Sequence, residues 1–133
     1  MNALQTAKEY YTFFNSKNWQ GMLDLLHPDV KHEANQGDTR VGKQLFTEFL
    51  AHMDTCYDEK LTDMVFFSEE SNTRVAVEFV VNGIYKSTDS DLPEAKGQKY
   101  VLPAGAFLEI KDGLIYRITT YYNLPLWMEL VEA

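Results

Sequence analysis

One histidine stands where it could transfer protons. His32 lies between Val30 and Ala34 in a stretch of alternating character, so the three side chains are expected to share the inward face of a strand. The unperturbed pKa of histidine lies near neutrality, which suits a general acid or base. The position would equally suit a structural histidine that is hydrogen-bonded within the core, and the sequence leaves both interpretations open.

Two tyrosines could stabilise negative charge on a ligand. Tyr10 falls on the apolar face of a predicted N-terminal helix, and Tyr122 falls in a β-rich stretch near the other end. A phenol hydroxyl can donate a hydrogen bond to a carbonyl or enolate oxygen. Each could instead be a core or rim tyrosine whose hydroxyl reaches water. His32 and Tyr10 are predicted as the catalytic pair.

Other kinds of site lack support in the sequence. His27, His32 and His52 lie on three predicted elements without paired spacing, so no metal site is predicted. The single Cys56 cannot form an internal disulfide and is expected to be a small core residue. Asp89 lies in a polar loop over 87–97 that lacks the further ligands of a calcium site. The sequence contains no phosphate loop, nucleophile elbow or dinucleotide fingerprint, so no cofactor is predicted.

Composition narrows the class of partner. A net charge of −8 would repel a phosphate backbone, and the Lys and Arg residues form no basic stripe, so nucleic acid is not expected. No apolar run approaches the length of a membrane span and the N-terminus lacks the layout of a secretory signal, so a cytoplasmic protein without membrane contact is expected. The aromatic content of 14% exceeds what a core of this size needs, which indicates a lined cavity.

Three helices are predicted to position these groups. Apolar residues at helical spacing predict the first helix over 2–15. Asn18 can cap a second helix, which Pro28 stops near Leu26 or His27. From Asp29 the period changes to two, and after a turn Gly42 opens a third helix with its own apolar stripe.

The remainder of the chain is rich in β-forming residues. Turn signals divide it into strands predicted over 60–67, 74–87, 98–111 and 114–123. Asp112-Gly113 between the last two runs predicts a tight antiparallel hairpin. Helices grouped before an antiparallel sheet predict an α+β fold, and a chain of 133 residues fits a single domain over 1–133.

Two segments carry a family resemblance. The front of the chain, YYTFFNSKNWQGMLDLLHPDV, and the late hairpin AFLEIKDGLIYRITTYYN resemble SnoaL-like and ketosteroid-isomerase-like proteins of the nuclear transport factor 2 superfamily. The resemblance covers about residues 3–125. It implies a cone-shaped fold in which three N-terminal helices pack on a curled, mainly antiparallel sheet. It specifies function poorly, because this scaffold carries isomerases, cyclases, dehydratases, hydrolases and binders without activity.

The resemblance also implies positions for catalytic groups. Ketosteroid isomerases use a helix-one tyrosine, an aspartate base and a protonated aspartate. When the chain is aligned with this family, the tyrosine position falls on Tyr10, the base position on Ala34 and the protonated-acid position on Gly105. Glu33 is expected on the opposite strand face from Ala34. Because both acidic positions are replaced, steroid isomerisation by that mechanism is not expected.

The resemblance places a set of mostly apolar residues around a central cavity. Besides His32 and Tyr10, the predicted ligand-binding residues are Phe14, Ala34, Val77, Phe79, Val81, Val101, Pro103, Gly105, Phe107, Ile118, Thr120 and Tyr122. The alternative is a core filled by its own side chains, and small residues at Ala34 and Gly105 favour a real cavity.

The predicted function is binding of a small, mostly apolar metabolite, with acid–base chemistry of the isomerase, cyclase or dehydratase kind. The alternative is a ligand carrier without activity, or a protein-interaction module on the same scaffold. A second partly apolar sheet face, which includes Ala76, Val80 and Tyr121, predicts a homodimer through the outer side of the sheet.

Overall fold

A computed structural model describes residues 2–35 and 37–132. Four helices and six strands make up the fold. The helices are α1 (Ala3–Asn15), α2 (Trp19–Asp24), α3 (Lys43–Cys56) and α4 (Leu124–Glu132). The strands are β1 (Leu26–Ala34), β2 (Arg40–Val41), β3 (Tyr57–Ser68), β4 (Arg74–Tyr85), β5 (Lys99–Lys111) and β6 (Leu114–Tyr122).

The six strands form one mixed sheet. Their order is β2-β1-β6-β5-β4-β3, so β2 and β3 are the two edges and the sheet is curled but not closed. Only the β1–β6 pair is parallel among the described strands, and the other four neighbouring pairs are antiparallel. The predicted α+β class is therefore confirmed. Within residues 2–35 and 37–132, no helix has the length and hydropathy needed to cross a membrane.

The helices differ from the predicted arrangement in two respects. The second helix has only six residues and ends at Asp24, and α4 follows the sheet where no helix was predicted. The strand β1 begins at Leu26 and runs through Pro28, three residues earlier than predicted. Pro28 has no backbone N–H to donate. It is tolerated because the β1–β6 register is irregular between Leu26 and Lys31, so no regular sheet hydrogen bond from this position is required.

The hairpin between β5 and β6 is confirmed. Asp112 has φ 53° and Gly113 has φ 78°, and a two-residue turn with both angles positive matches the right-handed twist of the flanking strands. Lys111 pairs with Leu114 directly beyond the turn. The turn therefore sets the pairing next to it, and a register shift between Glu109 and Ile110 precedes the segment that carries Ile118, Thr120 and Tyr122 past β5.

The first helix is fixed to an edge of the sheet by one side chain. At the end of α1, the Asn15 amide donates to the carbonyl of Leu61 at 2.9 Å and accepts from the Leu61 amide at 2.8 Å. Asn15 thus makes with the backbone of Leu61 the two hydrogen bonds that a neighbouring strand would otherwise make at this edge of β3. At the other end of α1, Asn2 and Gln5 form a reciprocal capping box. These contacts hold the helix that carries Tyr10 over the concave face of the sheet.

Candidate functional site

A cavity of about 400 Å³ lies between the helices and the concave face of the sheet. Its lining is mostly apolar and comes from every helix and from all six strands. The size and composition are those of a site for a small organic molecule. The polar residues in the lining fall into two groups, one near β2 and the other near β3, the two opposite edges of the sheet.

Most residues predicted for the site lie in the cavity lining. These are Tyr10, Phe14, His32, Ala34, Phe79, Val81, Ile118, Thr120 and Tyr122. Val77 faces the same side of β4 but is buried in the core at 3% exposure and does not reach the cavity. The structure places these side chains in one cavity lining. That they bind a ligand stays a prediction.

The prediction is wrong for four residues of β5. Val101, Pro103, Gly105 and Phe107 lie on the outer face, where Val101 is 61% and Phe107 is 50% exposed. The intervening residues of β5 face inward, and Ala104 lines the cavity. The cause is a one-residue error in phase, which moves every side chain of a strand to the other face. Gly105 therefore cannot mark an acid position inside the cavity.

His32 of β1 packs against two phenylalanine rings of α3. It is 4% exposed, and the centre of its ring lies 4.6 Å from that of Phe46 and 4.3 Å from that of Phe49. Burial, and to a lesser extent the positive charge of Arg40, lower the pKa of His32 to about 4. The imidazole is consequently neutral at physiological pH. Its Nδ1 atom is buried without a hydrogen-bond partner among the described residues.

Arg40 lies opposite His32 across the β1–β2 pair. The two residues are cross-strand partners, and both line the cavity. The Arg40 guanidinium carbon stands 4.9 Å from the centre of the Phe49 ring, close enough for a cation–π contact. Its Nη1 atom is also buried without a partner among residues 2–35 and 37–132. Leaving such a group unpaired costs about 1–3 kcal/mol or more.

The tyrosine predicted on α1 is deeply buried. Tyr10 is 5% exposed, and its ring meets that of Tyr11 edge to face at 5.0 Å. Burial raises the pKa of the Tyr10 hydroxyl, so the phenol stays protonated and can act as a hydrogen-bond donor.

Ala34 lines the cavity, whereas the Glu33 carboxylate accepts hydrogen bonds from Thr119 and Thr39 and is absent from the lining. The expected opposite facing of Ala34 and Glu33 is thus confirmed.

A half-buried acid at the other edge of the sheet was missed from the sequence. Glu59 on β3 lines the cavity and accepts a hydrogen bond from the Tyr100 hydroxyl. Burial raises the pKa of Glu59, against the opposing effect of the Tyr100 hydrogen bond. A carboxyl group of raised pKa in a cavity is a candidate for proton transfer. Glu59 alternates with Tyr57 and Leu61, so extending the predicted strand towards the N-terminus would have found it.

A glycine makes the Glu59–Tyr100 contact geometrically feasible. Glu59, Gly83 and Tyr100 are aligned in register across β3, β4 and β5. A Cβ atom on Gly83 would lie 2.2 Å from Cζ of Tyr100, so the Tyr100 ring occupies the space of the missing side chain. The ring thereby crosses β4 and reaches the carboxylate one strand further. Trp127 of α4 packs on Tyr100 with ring centres 5.9 Å apart and covers this end of the sheet.

A second polar cluster lies at the rim of the cavity. Asp89 accepts hydrogen bonds from the Tyr57 hydroxyl at 2.7 Å and pairs with His52 Nε2 at 2.7 Å. These bonds outweigh burial and lower the pKa of Asp89. The sequence placed Asp89 in a solvated loop, but that loop folds back over α3. Ligand atoms of His52, Cys56 and Asp89 lie within 4.8 Å of one another, a set that could hold a thiophilic cation.

The fold and the cavity define a class of protein. An α+β chain with a curled open sheet around a mostly apolar cavity is the architecture of SnoaL-like proteins, and the SnoaL-like domain family matches residues 7–118. The chain belongs to this family. A search of curated proteins gave no match.

Solved structures of relatives agree with this assignment. A "putative polyketide cyclase" from Silicibacter sp. TM1040 is 50% identical, with a TM-score of 0.97 over 99% of this chain and 96% of that one. A second "putative polyketide cyclase", from Pseudomonas putida KT2440, is 45% identical, with a TM-score of 0.97 over 98% of each chain. An NTF2-like protein of unknown function from Burkholderia pseudomallei K96243 is 19% identical, with a TM-score of 0.84 over 100% of this chain and 99% of that one, and shows the fold alone.

Proposed function

We propose that the protein binds a small, mostly apolar carbonyl compound in the cavity and catalyses acid–base chemistry of the cyclase, isomerase or dehydratase kind. The observation that carries this proposal is a cavity of about 400 Å³ whose mostly apolar lining includes one carboxyl group of raised pKa, that of Glu59. The names of the two relatives at 45–50% identity, each a "putative polyketide cyclase", support the cyclase class.

The cavity residues suggest a division of roles. Glu59 removes a proton from the carbon next to the carbonyl group and returns it elsewhere on the ligand, since it is the cavity carboxyl group whose pKa is raised by burial. The Tyr10 hydroxyl donates a hydrogen bond to the developing enolate oxygen. His32, which is neutral because of its low pKa, acts as a hydrogen-bonding group that orients the ligand. The lowered pKa makes it a weaker candidate for moving the proton than the sequence indicated.

Hydrogen–deuterium exchange tests this proposal without knowledge of the natural substrate. We expect the protein to accelerate exchange at the α-carbon of 2-tetralone, an apolar bicyclic ketone, measured by proton NMR in deuterium oxide. Glu59→Gln should lower the rate enhancement by about 100-fold or more, as loss of a general base does. Asp58→Asn is the matched control, since the Asp58 side chain is exposed and paired with Lys17 outside the cavity.

The same experiment separates the proposed enzyme from its alternative. Binding of 2-tetralone without faster exchange would favour a ligand carrier without activity. Absence of binding would favour a protein-interaction module on the same scaffold. Equal acceleration by the protein and its Glu59→Gln variant would remove Glu59 from the mechanism.

The outer face of the sheet supports the predicted homodimer. Val101, Phe107 and Tyr121 are each at least half exposed on this face, and the rings of Phe107 and Tyr121 lie 5.9 Å apart. Ala76 is the cross-strand partner of Phe107 and extends the apolar surface onto β4. Exposed apolar patches of this kind are typical of association surfaces. A monomer in sedimentation velocity at micromolar concentration would contradict the dimer. The cytoplasmic location expected from the sequence stays a prediction.

A further inference from the structure

Two side-chain polar atoms in the described chain are buried without a hydrogen-bond partner, and the residues that carry them both line the cavity. They are Nδ1 of His32 and Nη1 of Arg40, which are cross-strand partners on β1 and β2. Buried polar groups in folded proteins are nearly always paired, so a pair of unsatisfied atoms in one lining indicates a ligand that satisfies them. His32 itself is 96% buried, given its 4% exposure.

The two groups are fixed in position by the same aromatic ring. Phe49 contacts both groups, because its ring centre lies 4.3 Å from that of the His32 ring and 4.9 Å from the Arg40 guanidinium carbon. Phe46 packs on His32 as well. A donor pair that is held rigidly before binding loses little conformational entropy when a ligand arrives.

The charge distribution selects the kind of ligand group. Arg40 is the only Lys or Arg among the cavity-lining residues that the structure describes, whereas Glu59 and Asp89 lie towards the opposite edge of the sheet. One guanidinium matches one carboxylate with two parallel hydrogen bonds. A phosphate carries more charge and more acceptor atoms than this single cation and a neutral imidazole can satisfy.

We infer that Arg40 and His32 form a carboxylate-binding subsite, so that the ligand of this cavity is an apolar, ring-containing carboxylic acid whose carboxylate lies at the β1–β2 edge. This inference rests on the proposed function and adds the substrate class to it. The apolar body of the ligand extends along Phe79 and Ile118 of the lining, and its far end approaches Glu59. The carboxylate is therefore kept away from the acidic side of the cavity.

Paired acid and amide probes test the inference. We expect isothermal titration calorimetry at pH 7 to show that 2-naphthoate binds at least about tenfold more tightly than 2-naphthamide, which has the same shape without the charge. Arg40→Met retains an aliphatic stem on Phe49 and removes the cation. It should abolish the preference for the acid while leaving the affinity for the amide within about twofold.

A matched variant and the wild-type protein keep the test decisive. Arg74→Met removes the same charge from a side chain that is 62% exposed outside the cavity, and it should leave the preference intact. Equal affinity of the wild-type protein for acid and amide would overturn the carboxylate subsite and leave the proposed cavity function standing. Persistence of the preference in Arg40→Met would also overturn the subsite.

Failure of the wild-type protein to bind either probe would count against both the subsite and the proposed function. Tighter binding of 2-naphthyl phosphate than of 2-naphthoate would reject the choice of carboxylate.

Discussion

Buried His32 should make the stability of the protein depend on pH in a way that can be calculated. The pKa of His32 is lowered from 6.5 to about 4 in the folded chain, so the unfolded chain binds a proton in a range where the folded chain does not. The stabilising effect of neutral His32 is complete above the unfolded pKa of 6.5 and is lost as the pH falls towards 4. Using 1.36 kcal/mol per pKa unit, the free energy of unfolding should decrease by about 2 kcal/mol between pH 7 and pH 5 because of this residue alone.

Urea denaturation followed by tryptophan fluorescence at pH 7, 6 and 5 measures this effect. Other titrating groups act equally on the wild-type protein and on His32→Gln, so the difference between their pH profiles isolates His32. We expect the wild-type protein to lose about 2 kcal/mol more than the variant over this range. Parallel profiles for the wild-type protein and His32→Gln would refute the reasoning that burial holds this imidazole neutral.

Three further substitutions probe the edge of the sheet at β3. Gly83→Ala should destabilise the fold by about 1–3 kcal/mol in urea denaturation, because the added methyl group overlaps the Tyr100 ring, and an unchanged midpoint would contradict this packing. Tyr100→Phe should raise the pKa of Glu59 further, as measured by carbon-13 NMR of the carboxyl group, because a hydrogen bond to the charged form is lost. An unchanged or lower pKa of Glu59 in this variant would contradict the hydrogen bond from Tyr100. Asn15→Ala should cost about 1–2 kcal/mol because it removes two hydrogen bonds to Leu61, and a loss below 0.5 kcal/mol, within the ordinary range for surface substitutions, would contradict that role.

The parts of the fold that were predictable follow from local rules. Asp112-Gly113 specifies a hairpin because a two-residue turn needs positive φ at both positions, which these residues tolerate. The alternation of side chains along β4 identified its buried face, because every second residue of this strand is apolar. Val75 and Phe79 belong to that face and are buried. These signals depend on near neighbours in the chain and need no knowledge of the tertiary structure.

The inner face of β5 was assigned wrongly although the two phases of this strand differ in composition. The phase of Leu102 is wholly apolar, but Val101 and Phe107 place large apolar side chains in the other phase as well. The charged residues Lys99, Glu109 and Lys111 share the phase of Val101 and would have identified the outer face. The apolar residues of that phase are exposed on the outer face, which is also why they support the proposed dimer.

The two polar ends of the cavity depend on contacts between distant parts of the chain. Arg40 lies on a strand of two residues, which is too short to show a period, and its inward position is set by pairing with β1. Glu59 and Asp89 reach the cavity through the start of β3 and through a loop that folds back over α3. The sequence alone indicated His32 and Tyr10 because each has apolar neighbours at regular spacing. Arg40 and Asp89, which tertiary folding brings to the cavity, carry no such local signal, whereas Glu59 follows the alternation of β3.

Occupancy of the cavity is the central claim, and filling the cavity tests it most directly. Ala104 lines the cavity on β5, so Ala104→Phe adds bulk inside it, whereas Ala51→Phe adds the same bulk on the exposed face of α3. The measurement is calorimetric titration of 2-naphthamide into the wild-type protein and both variants, with circular dichroism to confirm folding. We predict saturable binding by the wild-type protein and Ala51→Phe, and loss of binding in folded Ala104→Phe. Unchanged binding by Ala104→Phe, or none by the wild-type protein, would contradict the claim that this cavity is the ligand site.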